Sequence, residues 1–348
     1  MAAQDYSANL MYPMAQNNST DKFNLTIEKF EGTVHETILK ASALTDEYRF
    51  MPLIGTDAMS NNAMGLPSLA KVVPGIEPLG QNINVGKMMV YVRSPIIARV
   101  TTPMLADVQT HLDIKGKTPG NFGKRIAQHL DQVMFVQINK SIGYDHPAAP
   151  TGGANTLEGT GGILAQGAKV TLSTALDELD SAKLTTAMFS VAQTLAERDI
   201  DITGADGKLY MLPAQYFTLL KNKDLLNSDI NKPNGSYAHA AIDVVSGMPV
   251  IMTNRMPSVA DSFGFPATAE STAALYGSST DTSYDISAIE AKGIAYWANG
   301  DTIMVAQSIP LTTDVYWDKR LLCWFIDAYM AIGAAPNRTD TCGGVWKA

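Results

Sequence analysis

The side chains that could bind a metal or act as nucleophiles are few and widely spaced. They are His35, His111, His129, His146, His239, Cys323 and Cys342. No two histidines have the His-x-x-x-His or His-Glu-x-x-His spacing that places two ligands on one helix face. Cys323 lies in an apolar run, which favours a structural thiol over a nucleophile. We therefore predict no metal, no cofactor and no catalytic residue, and we interpret His129 as a surface or interface residue.

Two further patterns resemble reactive sites but lack an essential part. Residues 159–162, Gly-Thr-Gly-Gly, are as glycine-rich as a phosphate-binding loop, but no Lys-Ser or Lys-Thr follows them. We predict a flexible linker there. The carboxylate pairs Asp177 with Glu178 and Asp199 with Asp201 lie at predicted element ends. Solvated capping of those ends explains them.

Composition excludes several classes of protein. The chain has 348 residues, 46% of them hydrophobic, which is ample for a globular core. The net charge of -8 disfavours direct recognition of nucleic acid. Two cysteines are too few for a disulfide framework, so we expect a reducing compartment. The N-terminus has no pattern of a secretory signal, and the longest apolar stretch, residues 321–336, is shorter than a membrane span and contains Asp327.

The most informative segment, residues 65–100, reads as a long two-stranded arm with almost nothing of its own to pack against. A glycine-, asparagine- and methionine-rich connection, residues 55–64, precedes it. One limb runs to the turn-rich residues 74–80, and a β-prone return limb follows over residues 87–100. An isolated hairpin is marginal in water, so this one requires a surface to lie on, supplied by its own domain or by a neighbouring subunit.

The clearest helix follows this arm. Thr118 suits its N-cap, Pro119 its first position and Gly143 its end. Between them lies one apolar stripe, formed by Phe122, Ile126, Leu130, Val133, Met134, Ile138 and Ile142. We expect Leu130 to be buried. The helix would be about 36 Å long, which suits a structural rod more than a buried core helix.

The remaining pattern is mixed. A short amphipathic helix is predicted over residues 22–39, and a turn-rich region over residues 148–167 follows the long helix. Next come a helix around residues 184–195, a strand at 208–212, a helix at 213–220 and a strand at 248–253. The tail predicts strands at 293–297, 302–306 and from 321 onward.

This order of parts resembles the major capsid protein of tailed bacteriophages, and within that group the short-tailed podovirus type. The resemblance also lies in residues 30–39 (FEGTVHETIL), 106–113 (ADVQTHLD), 247–257 (GMPVIMTNRMP) and 328–338 (AYMAIGAAPNR). It implies an α+β fold, the one shared by tailed-phage and herpesvirus capsids. The segments would be an N-terminal arm (1–64), an extended loop (65–98), a peripheral domain with a spine helix (99–180 and 286–348) and an axial domain (181–285).

The resemblance further implies hexamers and pentamers on an icosahedral shell around double-stranded DNA, with scaffolding and portal partners and assembly in the host cytoplasm. Some relatives crosslink a lysine of the extended loop to an asparagine of another subunit. Lys71 and Lys87 lie in this loop, but no pocket signature accompanies them, and we expect no crosslink. We predict subunit contacts at Lys71, Glu77, Lys87 and Arg93.

Two other interpretations stay open at this point. A tail-tube or decoration protein would form rings or surface knobs in place of closed shells. A mixed α/β enzyme would be a compact monomer that binds a ligand, although no catalytic motif favours it. Physical reasoning supports the shell, because extended segments bury apolar area only by overlapping neighbours.

Overall fold

The computed structural model describes residues 33–34, 36–38, 42, 44, 48–64, 71, 74–75, 85–93, 95–104, 114–143, 166–202, 207–222, 242–258 and 284–348. Its helices are α1 (Ile114–Gly143), α2 (Ser181–Ala196) and α3 (Pro213–Leu219). Its strands are β1 (Phe50–Pro52), β2 (Ala58–Met64), β3 (Val85–Tyr91), β4 (Ile96–Pro103), β5 (Ala168–Thr171), β6 (Gly207–Met211), β7 (Val244–Val245), β8 (Met248–Met252), β9 (Gly293–Asn299), β10 (Ile303–Asp318), β11 (Cys323–Pro336) and β12 (Gly343–Trp346). Short 3-10 turns occupy Asp177–Leu179, Glu290–Lys292 and Thr339–Thr341.

One sheet has four strands in the order β1-β10-β11-β4. The long strands β10 and β11 are antiparallel, β4 is antiparallel to β11, and β1 runs parallel to β10. The register of β10 shifts twice, between Gln307 and Ile309 and between Ile309 and Thr312. Pro310 lies within this stretch and cannot donate to the ladder, which accounts for the irregularity.

A second sheet has six strands in the order β5-β12-β9-β6-β8-β7. Helices α2 and α3 pack on one face, where Leu184 and Leu195 meet Leu209 and Trp297. The other face faces α1. Strand β9 is therefore buried on both sides, as its burial from Gly293 to Ala298 shows. Strands β5, β9 and β12 fall in segments predicted as peripheral and β6 to β8 in the axial segment, so the division into domains stays a prediction.

Helix α1 connects the two sheets. In its first half, Phe122, Ile126 and Leu130 pack on Ile326 and Met330 of β11. The side chains of its second half pack in a second core with residues of both sheets. They are Val133, Met134, Phe135, Ile138 and Ile142, and their partners include Tyr210, Tyr296, Val305 and Trp346. The predicted burial of Leu130 is confirmed, since 2% of it is exposed.

Two features of the predicted helix are wrong. The helix begins at Ile114, so Thr118 is not its N-cap and Pro119 lies inside it, where the missing N–H costs the first turns one hydrogen bond. The second half is also a buried core helix, although its length favoured a structural rod over a core helix. Residues 133–139 are all buried, because both sheets pack against them and Ile286 and Ala291 cover Val136.

Three further sequence predictions are corrected. The connection at residues 55–64 contains strand β2. The return limb at 87–100 is two strands in different sheets, β3 and β4, separated around Pro95. Asp177 is buried and not solvated. The strands at 293–297, 302–306 and 208–212 and both α/β helices are confirmed within a few residues, while most of the helix at 22–39 and the turn region at 148–167 lie outside the described residues.

Candidate subunit-contact surfaces

The hairpin β2–β3 is paired from Ala58 with Tyr91 to Met64 with Val85. Its strands alternate, so one face of β3 carries Met88 and Val90 and the other carries Met89 and Tyr91. Met88 is 6% and Val90 1% exposed, whereas Met89 is 38% and Tyr91 43% exposed. The hairpin therefore has a covered face and an open face.

The covered face packs on the subunit's own body. Met88 and Val90 share a core with Leu53, Met304 and Ala306. The approach is close at Gly333 of β11, where an added Cβ would lie 2.2 Å from the Tyr91 carbonyl oxygen. Only a glycine allows the two backbones to come so near. The expectation that this arm has nothing of its own to pack against is thus wrong for strand β3.

The predicted contact residues are distributed along this hairpin and beyond it. Lys71, Lys87 and Arg93 are exposed, and Glu77 lies outside the described residues. Lys87 is paired across the hairpin with Asn62. The Arg93 guanidinium lies 5.6 Å from the centre of the Tyr91 ring, a cation–π distance. The role of all these charged residues as subunit contacts stays a prediction.

A second surface is the face of the four-stranded sheet that points away from α1. Arg99 donates from Nε to Asp327 Oδ1 and from Nη2 to Asp327 Oδ2, each at 2.7 Å. The same guanidinium lies 5.5 Å from the ring centre of Phe325, which stacks on Tyr316 at 5.2 Å. Asp327 is only 4% exposed, so Arg99 neutralises a buried carboxylate. Sequence reasoning missed this pair, whose partners are 228 residues apart in the chain.

The turn between β10 and β11 is a third exposed surface, formed by residues 319–322 and called here the sheet tip. Leu321 is 44% and Leu322 58% exposed, next to the exposed cations Lys319 and Arg320. Leu322 has φ of 51°, a left-handed conformation that costs a leucine about 1–2 kcal/mol. Its carbonyl accepts a hydrogen bond from Met104 N at 3.0 Å, which fixes the turn to the end of β4.

Several titratable side chains with a shifted pKa are partly or fully buried or take part in structural hydrogen bonds. Burial, with the nearby Arg125 charge, lowers the pKa of the half-buried His129 to about 4. Hydrogen bonds from Lys183 and Thr174 lower the pKa of Asp177 to about 2. Burial raises the pKa of the Cys323 and Cys342 thiols, so neither is a ready thiolate nucleophile. Within the described ranges, no group of three or more His, Cys, Asp and Glu residues could hold a metal ion.

In the part of the chain that the structure describes, none of the helices is long and apolar enough to cross a bilayer.

Known capsids share this architecture. The capsid protein of cyanophage P-SCSP1u superposes with a TM-score of 0.70 at 17% identity, over 86% of each chain. That of the mature capsid of bacteriophage PhiM1 superposes with a TM-score of 0.69 at 18% identity, over 88% of this chain and 87% of that one. Mycobacterium phage Che8 gives 0.56 at 10% identity, over 83% and 84%. These similarities confirm the predicted α+β fold of tailed-phage major capsid proteins.

Sequence comparison gives the family. No curated protein sequence matches the chain significantly. A sequence model of the family described as "Gp10A-like: Major capsid protein" matches residues 74–302, which is more than half of the chain. The match includes the hairpin strand β3, the sheet strand β4, the whole of α1 and most of the six-stranded sheet. This protein therefore belongs to the Gp10A-like family of major capsid proteins.

Proposed function

We propose that this chain assembles as hexamers and pentamers into an icosahedral shell that encloses the double-stranded DNA of a tailed phage of the podovirus type. The observation that carries the proposal is the family match over residues 74–302. Major capsid proteins are structural, so the chain acts by self-association and not by catalysis. Assembly takes place in the bacterial cytoplasm with a scaffolding protein, around a portal.

The exposed surfaces of the subunit support this role. The open face of the hairpin, the outer face of the four-stranded sheet and the sheet tip all present large apolar side chains to solvent, among them Tyr91, Tyr316 and Leu322. Exposed apolar groups on rigid elements are typical of protein–protein interfaces. Neighbouring copies would cover them, with Lys71, Lys87 and Arg93 at the contacts of the hairpin.

The acidic composition is consistent with a container for DNA. The net charge of -8 gives no broad attraction between shell and phosphate backbone. A wall that binds DNA weakly allows the genome to be packed and later released. We therefore expect DNA to be enclosed without sequence-specific binding.

Electron microscopy of the full chain, expressed alone and together with a scaffolding protein, tests the proposal. We expect closed shells built of hexamers and pentamers, and treatment with EDTA should leave them intact. Rings or surface knobs would instead identify a tail-tube or decoration protein. A well-behaved monomer with a defined turnover would identify an enzyme and refute the proposal.

A further inference from the structure

Gly123 and Asp131 are both unfavourable residues for the interior of a long helix. Gly123 loses more backbone freedom than an alanine would. Asp131 is a carboxylate with 0% of its surface exposed, and a buried charge is costly unless other groups bond it. Both residues contact the same partner segment, namely the described residues 33–34, 36–38, 42 and 44, which we call the arm root.

Gly123 forms a notch for the arm root. A Cβ added there would lie 2.6 Å from Thr37 Cβ and 2.8 Å from the Val34 carbonyl oxygen. The residues of the arm root on either side are apolar and buried, Val34 at 0% and Ile38 at 5% exposure, and they pack in the core of Phe122 and Ile126. The missing side chain at Gly123 therefore lets the helical arm root lie directly on α1.

Asp131 holds the other end of the arm root. The Ser42 hydroxyl donates a hydrogen bond to Asp131 Oδ1 at 2.6 Å, and Leu44 N approaches the same oxygen at 3.4 Å. Ser42 is itself positioned by a hydrogen bond from its N–H to the Ile38 carbonyl at 2.9 Å. The Asp131 charge also raises the pKa of Tyr210 on β6, after the larger effect of burial, so this contact lies where the arm root, α1 and the six-stranded sheet meet.

We propose that Gly123 and Asp131 form a two-point clasp that docks the arm root along the spine helix. The two points are eight residues apart on α1, or about 12 Å. The clasp adds to the packing of Val34 and Ile38 in the core of Phe122 and Ile126 and keeps the arm root docked on α1. In the shell of the proposed function, on which this clause rests, the clasp keeps the arm root against the spine helix of its own subunit.

The chain offers matched pairs of variants for a test. Gly123→Ala fills the notch, while Gly120→Ala adds the same methyl group where no described atom lies within 4 Å of it. Asp131→Asn removes the charge, while Asp57→Asn makes the same change at an exposed position outside α1 and the arm root. Ser42→Ala removes the hydroxyl group of the arm root that donates a hydrogen bond to Asp131. Both glycine variants should raise the helix propensity of α1, so release of the arm root in only one of them cannot come from a weakened helix.

Hydrogen–deuterium exchange of the full chain measures how firmly the arm root is docked. Every variant is compared in the same assembly state. We expect peptides covering residues 33–44 to exchange about tenfold faster in Asp131→Asn and Ser42→Ala, the factor expected for loss of one hydrogen bond to a charged group. Gly123→Ala should raise their exchange at least as much, because its methyl group would clash with Thr37 and with the Val34 carbonyl. Peptides of β6 and β9 should keep their rates. Gly120→Ala and Asp57→Asn should stay within about twofold of the parent throughout.

Two results would overturn the clasp. One is unchanged exchange of the arm root in the three clasp variants. The other is an equal rise throughout β6, β9 and the arm root, which would mean that these residues support the whole core. If Asp131→Asn is insoluble, Gly123→Ala and Ser42→Ala decide by the same criteria. Shells are imaged separately, so a parent chain that forms none would refute the proposed function and leave this measurement valid.

Discussion

The spine helix α1 and the hairpin β2–β3 are both long elements, but the subunit covers them differently. Helix α1 has buried side chains from Thr118 to Ile142, supplied with neighbours by two sheets. Strand β3 has one covered face, with Val90 1% exposed, and one open face, with Tyr91 43% exposed. The apolar side chains of the helix are thus covered within the subunit, whereas one face of the hairpin is exposed.

This difference separates two kinds of substitution. A change in α1 or on the covered face of β3 should act on the folding of the subunit. A change on the open face should act on assembly, because no core of the subunit depends on it. The boundary between the two classes runs between neighbouring residues of one strand, Met89 and Val90.

The largest effect is expected on the helix side. Leu130→Asp places a carboxylate among Ile126, Ile326 and Met330, where it has no cation to pair with among its described core neighbours, at a cost of several kcal/mol. Soluble protein should disappear on expression. Lys124→Asp is the control, since it introduces the same side chain at an exposed position of the same helix. Normal shells from Leu130→Asp would show that this face of α1 is exposed.

Local patterns predicted the helix well and the hairpin poorly, for a physical reason. The burial of Phe122, Ile126 and Leu130 follows from a 3.6-residue period, which a sequence displays directly. Strand β2, by contrast, is Ala-Met-Ser-Asn-Asn-Ala-Met, which has little β propensity of its own. It becomes a strand because β3 pairs with it, and that pairing depends on residues far away in the sequence.

The surfaces were harder to predict for the same reason. Arg93 and Lys87 could be named from the sequence as charged residues of the arm, and both are exposed, but their role as subunit contacts stays a prediction. The bidentate pair of Arg99 with Asp327 could not be predicted, because a short stretch of sequence contains only one of the two partners. The clasp at Gly123 and Asp131 could likewise not be predicted. Both residues are unfavourable in a helix, and only the contact with the arm root explains them.

The covered face of the hairpin gives the second test. Val90→Ala removes two buried carbon atoms from the core of Leu53, Met304 and Ala306, and should lower the free energy of unfolding by roughly 2 kcal/mol. Met89→Ala, on the open face of the same strand, should lower it by less than about 0.5 kcal/mol. Urea denaturation of both variants measures the difference. Equal losses would mean that the hairpin has no preferred face.

Between pH 6.5 and 4, His129 of α1 should contribute to the pH dependence of stability. The pKa of His129 is about 4 in the folded protein, below its ordinary value of 6.5. Between these values the unfolded chain binds a proton at this imidazole that the folded chain does not, so stability falls as the pH falls from 6.5 to 4. His129→Gln should remove about 1–2 kcal/mol of that loss, allowing for partial solvent screening.

Urea titrations of His129→Gln and the parent chain at several pH values measure this change as a difference. Arg125→Gln sharpens the test, because removing the nearby positive charge should raise the pKa of His129 and make the slope shallower. If His129→Gln has the same slope as the parent between pH 6.5 and 4, the imidazole is not held neutral by its surroundings.

The smallest effect on the subunit, and the most informative for assembly, is expected at Arg93. Arg93→Glu loses a cation–π contact with the exposed Tyr91, worth about 0.5–1 kcal/mol, so circular dichroism and soluble yield should stay near those of the parent. If Arg93 is a subunit contact as proposed, shell formation or shell thermal stability should fall instead, because the inverted charge would repel a carboxylate facing it on a partner. Arg93→Gln, which neutralises without inverting, should have an intermediate effect. Unchanged shells would make Arg93 a solvated residue that only guards an apolar hairpin against aggregation, and an unfolded subunit would assign the open face to the subunit's own core.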